Sequence, residues 1–369
     1  MGQAGRFHSL AENRTKIRYN ERAWPVQHNE GSMRAKSLRT MPHTRLRQRE
    51  RWLADGALLA VAAIWGATFF MIKEATQSFP VMAFLTLRFA IAAPFLLPFV
   101  LLEIKRRGAL PTRGEWLWGI GAGVLLTAGY VFQTFALRTV DAGRAGFITG
   151  LYVIFVPFLG LVVLRQPIER RVWLGGALAF LGMLFLGYAP GGTLLGDVLA
   201  LLCALAYAGH ILAVGQMPRT ADKCFLTLAQ VLTVAVLCGA LLPTLAAVRT
   251  CSAEICSAIA PFADPLPSDL PLNVLSAAAF TGIFATALGL MVQIWAQRIL
   301  PPSDAALIFA LEAPFAVLFG VLFLNEALTA LGLVGCALIF SSTLVVTLGG
   351  QGTLATDQSL EAVPSEAAD

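Results

Sequence analysis

Charged residues are scarce in this sequence. Asp, Glu, Lys and Arg make up 13% of its 369 residues, about half of the roughly 25% that is typical of soluble globular domains. Hydrophobic residues make up 57%, and they occur in long blocks and not at amphipathic spacing. Because such a chain cannot cover its surface with polar groups, the composition predicts an integral membrane protein with lipid as its solvent.

The motifs of several enzyme classes are also lacking. The sequence has no phosphate-binding loop, no His-Glu-x-x-His metal pair and no Gly-x-Ser-x-Gly nucleophile elbow. His210 is the only histidine within an apolar block, so no second histidine can serve there as base or metal ligand. We therefore expect neither an enzyme nor a bound metal or cofactor.

The N-terminus is the part of the chain that is rich in basic residues. Twelve of the 27 Lys and Arg precede Trp52, and no interleaving of aromatic and basic residues indicates a nucleic-acid surface. Residues 1–51 are predicted to be a basic, disordered cytoplasmic tail. An organelle transit peptide, or a later start at Met33 or Met41, are alternatives. A signal peptide is not expected, because no apolar region with a cleavage site is present.

Ten apolar windows follow this tail. A hydrocarbon core of about 30 Å requires roughly 20 apolar residues per helix, and charges, Pro and Gly delimit windows of that size. They cover residues 53–72, 81–102, 116–137, 143–164, 172–189, 196–215, 224–248, 272–297, 303–324 and 328–348. The remaining residues 349–369 are predicted to be an acidic, disordered tail. The fold class is thus an all-α membrane protein with ten transmembrane helices.

The distribution of Lys and Arg between the windows predicts the orientation, since short cytoplasmic loops are enriched in both residues. With the N-terminus in the cytoplasm, 22 of the 27 Lys and Arg lie on that side. We therefore expect a multi-pass protein of the inner membrane with both termini in the cytoplasm.

An internal repeat divides the ten helices into two sets of five. Residues 129–188 align with 289–348 without a gap, and fifteen of the sixty positions are identical. The matches include Gln133 with Gln293 and Arg138 with Arg298, which composition bias does not readily produce. Because five is an odd number, the second copy enters the membrane from the opposite face. We therefore predict two inverted repeats, at 52–189 and 196–348, an arrangement typical of secondary transporters.

Several short motifs resemble a known family. The sequence contains Trp65-Gly66-Ala67-Thr68-Phe69, Leu87-Arg88-Phe89, Ala136-Leu137-Arg138, Leu311-Glu312-Ala313-Pro314 and Asn325-Glu326. In their order and spacing these motifs resemble the EamA-type ten-helix branch of the drug/metabolite transporter superfamily. The resemblance implies a basket of two inverted five-helix halves that exports or exchanges small metabolites or drugs without a bound cofactor. Two features differ from the usual pattern: Ala313 separates Glu312 from Pro314, and the loop from Arg249 to Pro271 is longer.

Two charged residues within the windows are candidate site residues. A charge at the centre of a membrane helix costs about 2.5–3.5 kcal/mol on insertion scales, so such residues face the protein interior. Glu312 is predicted to carry a coupling proton or bind a substrate amine; the alternative is a protonated Glu that hydrogen-bonds to a helix. Arg88 could extend to the lipid headgroups, or pair with a substrate carboxylate or with Glu312.

Further candidates are aromatic or polar residues near the midplane. Trp65, Tyr207 and His210 lie in the first and sixth windows, which are repeat equivalents and should face each other; the aromatic rings could stack on substrate. His210 is either a ligand or a hydrogen-bonded packing residue. Tyr152 aligns with Glu312 and is expected to line the same cavity. Gln133 and Gln293 could bind substrate or hold helices together.

Two prolines and two cysteines complete the candidates. Pro157 and Pro314 are predicted as hinges, with fixed kinks as the alternative. Cys251 and Cys256 share one extra-cytoplasmic loop and could form a disulfide in an oxidising compartment, or remain two thiols.

Together these features predict a secondary-active transporter that exports or exchanges small metabolites or drugs by alternating access. Its expected partners are a small-molecule substrate and the lipid bilayer, with protons as a candidate coupling ion, and a homodimer is compatible with the sequence. A channel, or a membrane receptor or sensor without active transport, is the alternative.

Overall fold

A computed structural model describes residues 32–165, 167–186, 193–248, 263, 265 and 269–361. Contacts divide the chain into two units, Met1–Leu46 and Arg47–Asp369. The described part of the first unit is the start of a helix. All side-chain contacts given below belong to the second unit.

All regular elements among the described residues are helices. They are α1 (Ser32–Ser78), α2 (Val81–Arg107), α3 (Arg113–Leu137), α4 (Ala142–Thr149), α5 (Tyr152–Leu164), α6 (Arg170–Leu186), α7 (Leu194–Gly215), α8 (Lys223–Val248), α9 (Leu272–Phe280), a π-helix (Thr281–Leu288), α10 (Gly289–Ala296), α11 (Pro302–Phe309), α12 (Glu312–Leu324) and α13 (Ala330–Glu361). The predicted all-α fold is confirmed for this part of the chain.

The predicted number of transmembrane helices agrees closely with the structure. In the described residues, nine helical segments are long and apolar enough to cross a membrane. The one window without such a segment, 172–189, corresponds to α6, which is described over 17 residues, at the lower limit of about 17 for a spanning helix. Large apolar side chains such as Leu102 and Val163 are exposed on the outside of the bundle, as expected of a surface that contacts lipid.

The two terminal tails differ from their prediction as disordered segments. The first helix begins at Ser32, and the last continues to Glu361. Residues 32–51 and 349–361 are therefore helical. A basic or acidic composition does not prevent a helix from continuing beyond its apolar segment. The rest of both predicted tails lies outside the described residues.

Two of the predicted transmembrane helices are broken, and they are broken at equivalent positions of the repeat. In the first repeat the break separates α4, which ends at Thr149, from α5, which begins at Tyr152. In the second it separates α11, which ends at Phe309, from α12, which begins at Glu312. The offset is 160 residues at both points, as in the sequence alignment. Even the αL caps that end the second segments, Arg165 and Asn325, correspond.

The prolines near these breaks are not equivalent. Pro314 is the third residue of α12, so its ring meets the carbonyl of Ala310 within the break. Pro157 is the sixth residue of α5, beyond the break. A break at the same repeat position with prolines at different positions indicates that the repeat architecture, and not proline alone, sets the interruption. The hinge role of Pro157 and Pro314 stays a prediction.

Equivalent helices of the two repeats pack against each other. The closest pairs include α6 with α13 and α2 with α8, while α3 packs against α7 and α8. The largest buried cluster includes residues of α2, α3 and α8. This packing places the starts of α5 and α12 and parts of α1, α2, α3, α7 and α10 around one interior space.

A π-helix interrupts the eighth predicted helix next to α2. It covers Thr281–Leu288, between α9 and α10. A Cβ placed on Gly282 would lie 2.6 Å from the backbone oxygen of Arg88, so only glycine permits this approach. Short π-helical segments occur frequently at functional sites, and this one packs against α2.

Candidate functional site

All eight residues predicted to bind substrate or couple transport line one central cavity. Its lining comprises Trp65, Thr68, Phe69, Arg88, Leu126, Tyr130, Gln133, Tyr152, Tyr207, His210, Ile211, Leu290, Gln293 and Glu312. The cavity has a volume of about 40 Å³. Because one water needs roughly 10–15 Å³, the space holds a few waters, and a metabolite requires it to widen.

Arg88 is buried beside the cavity with only part of its hydrogen-bonding capacity used. Its Nε donates to Thr286 Oγ1 of the π-helix at 2.9 Å, and one terminal nitrogen donates to the Tyr130 hydroxyl at 3.3 Å. The guanidinium also lies 4.5 Å from the centre of the Tyr130 ring, within cation–π range. The other terminal nitrogen is buried without a partner.

Two of the three predicted roles of Arg88 are wrong. The side chain does not extend to the headgroups, since Arg88 is only 1% exposed. It is not paired with Glu312, and among the described residues no carboxylate oxygen lies within 4.0 Å of it. The reason is local: Thr286 and Tyr130 hold the guanidinium against the π-helix. The pairing with a substrate carboxylate stays a prediction.

Glu312 and Tyr152 face the cavity from equivalent helix ends. Each is the first residue after its break, and each is almost fully buried. The two side chains are near enough to interact electrostatically. However, neither the Tyr152 hydroxyl nor Glu312 Oε1 has a partner with hydrogen-bond geometry. The positive end of the α12 dipole favours negative charge at its first residue.

Aromatic side chains form much of the wall. The Tyr207 hydroxyl donates to Gln133 Oε1 at 3.3 Å, and the Tyr207 and Tyr130 rings meet edge to face at 5.8 Å. The Trp65 indole nitrogen donates to the Ala285 carbonyl of the π-helix at 2.8 Å. These bonds fix the orientation of the rings, which leaves rigid apolar faces toward the cavity.

His210 and Gln293 use their polar groups mainly within the protein. His210 Nε2 lies 2.7 Å from Gln230 Oε1, which is the packing arrangement named as the alternative for this histidine. Gln293 donates to Gln297 Oε1 at 2.9 Å, and Gln297 in turn donates to the Ile211 carbonyl. Gln293 Oε1 is buried without a partner and is the polar atom of this pair that remains for a ligand.

Three contributors to the site were missed from the sequence. Tyr130 and Thr286 hold Arg88, and the π-helix supplies both Thr286 and the carbonyl that orients Trp65. Tyr130 is one of only five tyrosines and is three residues before Gln133, so helical spacing could have placed both on one face. The sequence carries no recognised signal for the π-helix.

Charged clusters lie at both ends of the bundle. Arg51 and Lys73 lie 22 residues apart in α1, which corresponds to about 33 Å along the helix, and the two ends are named after them. At the Arg51 end, Asp304 of α11 accepts from Arg51 at 2.7 Å and from Arg171 of α6 at 3.1 Å. Arg171 also pairs with Glu169, and this hydrogen bond lowers the pKa of the Glu169 carboxyl.

The Lys73 end is held by a second set of ion pairs. Lys73 Nζ lies 2.9 Å from Asp141 and 3.2 Å from Glu326. The Glu326 carboxylate also accepts from the backbone nitrogens of Ala142 and Gly143 at the start of α4. This carboxylate therefore joins α1, α4 and the connection after α12.

The repeat relates the ion pairs at the two ends, but at one pair of equivalent positions a basic residue is replaced by an acidic one. Arg144 of α4 pairs with Asp197 of α7 at 2.7 Å at the Lys73 end. Their sequence equivalents are Asp304 and Asp55, which are both acidic. At the Arg51 end, Arg51, one helical turn before Asp55, provides the positive partner instead. Both oxygens of Asp55 are consequently buried without a partner.

Two remaining predictions concern cysteines and metals. Cys251 and Cys256 lie outside the described residues, so their pairing stays a prediction. Within the part of the chain that the structure describes, no group of three or more His, Cys, Asp or Glu could hold a metal ion.

The chain is similar to known transporters over most of its length. The sequence profile of the EamA-like transporter family matches residues 52–188 and 194–348. An uncharacterized transporter of Archaeoglobus fulgidus is 34% identical over 303 residues, which cover 81% of this chain and 87% of that protein. The uncharacterized inner membrane transporter YedA of Escherichia coli strain K12 is 30% identical over 42% of this chain and 50% of its own.

A solved crystal structure also matches the fold. It covers 80% of this chain and 97% of its own with a TM-score of 0.57, at 18% sequence identity. At this identity the likeness shows a shared fold.

Proposed function

Because this chain belongs to the EamA-like transporter family, we propose that it is a secondary-active transporter that moves a small organic molecule across the inner membrane by alternating access. The observation that carries the proposal is the central cavity, which lies between two repeats and between two ends that each contain ion pairs. A binding site at the interface of inverted repeats is typical of such carriers.

In the proposed cycle the two ends open in turn. Opening the Arg51 end separates Asp304 from Arg51 and Arg171. Opening the Lys73 end separates Lys73 from Glu326, and Arg144 from Asp197 in the same movement. Either opening widens the cavity toward one side only. The ion pairs at the other end remain formed, so no continuous path crosses the bundle.

The substrate is proposed to carry a carboxylate, with an amine as the second charged group. Arg88 has one buried nitrogen without a partner, and a buried cation is stabilised only by a counter-charge or full hydrogen bonding. Glu312 has an unpartnered buried oxygen on the same cavity and can accept either the substrate amine or a coupling proton. Between these groups, Trp65 and Tyr207 provide apolar faces for the substrate body.

The direction of transport is proposed as export or exchange, and both termini are placed in the cytoplasm. The excess of Lys and Arg at the Arg51 end supports this orientation. A reporter that is active only outside the cytoplasm, fused after Gly350, is expected to be silent. An active fusion would reverse the assignment of the two ends.

A channel or receptor is the second candidate, and counterflow separates it from a carrier. A resistance and metabolite screen of overexpressing against deleted cells first supplies a labelled substrate. Protein in liposomes loaded with unlabelled substrate is then expected to accelerate uptake of label. Arg88→Met protein, which should fold but bind a carboxylate more weakly, is the matched control. Uptake that is indifferent to the internal substrate would indicate a channel.

A further inference from the structure

A basic cleft separate from the central cavity lies at the Arg51 end. It is formed by the last turns of α2, the connection between α7 and α8, the first residues of α8 and the turn after α10. Its volume is about 460 Å³, more than ten times that of the central cavity. The cleft is thus large enough for a bulky ligand in the conformation described.

Five basic side chains meet in this cleft. They are Arg106, Arg107, Arg219, Lys223 and Arg298. Two of them are already paired, Arg106 with Glu103 and Arg107 with Glu115, both at 2.9 Å. The other three have no carboxylate oxygen within 4.0 Å among the described residues. Asp222 also lines the cleft, so its carboxylate balances one of these three charges, and two positive charges remain that the described protein does not neutralise.

Arg298 shows most directly that a partner is missing. One terminal nitrogen donates to the Ala221 carbonyl at 2.6 Å, which fixes the side chain against the connection between α7 and α8. Its Nε is buried without a partner. Burial lowers the pKa of this guanidinium; Asp222 raises it, and the nearby Arg219 lowers it by a smaller effect. An anion in the cleft would provide the hydrogen-bond partner that the Arg298 Nε lacks.

Part of the lining of the cleft is apolar. Phe99 and Leu102 of α2 line it and are 40% and 67% exposed. They continue the outer surface of α2 that contacts hydrocarbon. The cleft consequently joins a basic pocket to a lipid-facing surface, at the level where the hydrocarbon core meets the headgroups.

We propose that this cleft binds the phosphate headgroup of an anionic phospholipid, with its acyl chains along Phe99 and Leu102. Basic pockets between transmembrane helices bind headgroups of this class, and charge-assisted hydrogen bonds from Arg to phosphate are strong and directional. The apolar part of the lining favours a lipid over free phosphate. The bound lipid would join α2 to α8, the equivalent helices of the two repeats.

Basic residues at this end have another explanation, which the test must exclude. Lys and Arg are enriched in cytoplasmic loops because they set topology. Lys105 and Arg113 belong to the same end and are exposed, but they do not line the cleft. They therefore provide a matched pair for Arg219 and Lys223.

Native mass spectrometry of the purified full chain tests the proposal. Phosphatidylglycerol and phosphatidylcholine are titrated onto the wild type, Arg219→Gln/Lys223→Gln and Lys105→Gln/Arg113→Gln. We expect stoichiometric retention of one phosphatidylglycerol by the wild type. Retention should fall by at least about tenfold in the cleft variant, since each basic group near anionic lipid contributes roughly fivefold, and by less than about twofold in the other.

Three results would contradict the proposal that the cleft binds an anionic phospholipid. Equal loss in both double variants, or equal retention of the two lipids by the wild type, would overturn the proposal. Displacement of the lipid by inorganic phosphate alone would identify a free-anion site and would overturn it too. Arg219→Lys/Lys223→Arg keeps the charges and should retain the lipid, which guards against a cleft variant that fails to fold.

Discussion

Glu312 occupies the position in the second repeat that Tyr152 occupies in the first, and both residues reach the same cavity from the first position after a helix break. The backbone around them repeats, including the residues at which both segments end. The side chains do not repeat: one is an acid and the other a phenol. The two repeats therefore have the same backbone architecture but place only one acidic group at this position. A single carboxyl could bind one proton or one substrate amine in each proposed transport cycle.

Glu312→Gln is expected to uncouple transport from a proton gradient. The amide mimics a permanently neutral Glu312, so it can support exchange of substrate but cannot release a proton. Flux driven by a pH gradient across liposomes should be lost, while counterflow persists. Tyr152→Phe is the matched control from the equivalent position, and it should keep gradient-driven flux. Unchanged gradient-driven flux in Glu312→Gln would show that this carboxyl does not carry the coupling proton.

Arg88→Met is expected to weaken binding of a carboxylate substrate without lowering thermal stability. The guanidinium has no carboxylate partner among the described residues, and replacing a buried charge by an apolar side chain is often neutral or stabilising. Loss of a hydrogen bond to a charged group, about 1.5–3 kcal/mol, should raise the substrate KM by roughly 10- to 150-fold.

Arg88→Lys separates charge from geometry at the same position. Lysine keeps the positive charge but cannot reproduce the planar fork that contacts both Thr286 and Tyr130. An intermediate KM is therefore expected. If Arg88→Met lowers the melting temperature strongly while leaving KM unchanged, Arg88 has a structural role instead.

The sequence was sufficient for the all-helical architecture and for eight of the residues that line the cavity. Gln133 and Gln293 were found because they align at the 160-residue offset, and both line the cavity. An internal repeat predicts which residues face the cavity, because equivalent helices of the two repeats face a common axis. Contacts within the cavity were not predictable in the same way. Arg88 could reach headgroups, Glu312 or the interior by length alone, and only the π-helix with Thr286 decides among them.

The charged ends illustrate the same limit. Alignment pairs Asp304 with Arg144 and Asp55 with Asp197, which would place two acids together. Arg51 resolves this, but it belongs to the stretch that composition predicts to be a disordered tail. Hydropathy separates charged tails from apolar helices. It cannot show that a charged residue in the predicted tail, here Arg51, forms an ion pair with the helix bundle.

The ion pairs at the two ends are expected to differ in strength. Asp304 and Arg51 are almost fully buried, whereas the side chains of Arg144 and Asp197 are about a quarter exposed, at 23% and 26%. Breaking a buried pair costs about 3–5 kcal/mol, and access of solvent to a pair screens its charges and lowers its contribution. Asp304→Asn should therefore lower the free energy of unfolding far more than Asp197→Asn, as measured by denaturation in detergent.

The same two variants should affect access to the cavity from opposite sides. Asp304→Asn weakens the Arg51 end, and Asp197→Asn weakens the Lys73 end. A cysteine introduced at Thr68, which lines the cavity, should react faster with a membrane-impermeant thiol reagent applied at the weakened end. Equal acceleration from both sides in either variant would contradict ends that open separately.

Gly282→Ala is expected to impair transport through Arg88. A methyl group at this position would lie 2.6 Å from the Arg88 carbonyl oxygen, so α2 and the π-helix must move apart. Overpacking of this kind costs about 1–3 kcal/mol, and the movement lengthens the bond between Arg88 and Thr286. Gly121→Ala in α3 is the control, because nothing lies within 4 Å of its added methyl.

Alanine at Gly121 should be neutral or stabilising by up to about 1 kcal/mol, since glycine is unfavourable within a helix. Gly282→Ala should therefore lower both the melting temperature and the affinity for a carboxylate substrate, while Gly121→Ala lowers neither. The two measurements separate packing from function. A Gly282→Ala protein that is less stable but keeps its KM would show that the π-helix packs against α2 without positioning Arg88 for the substrate.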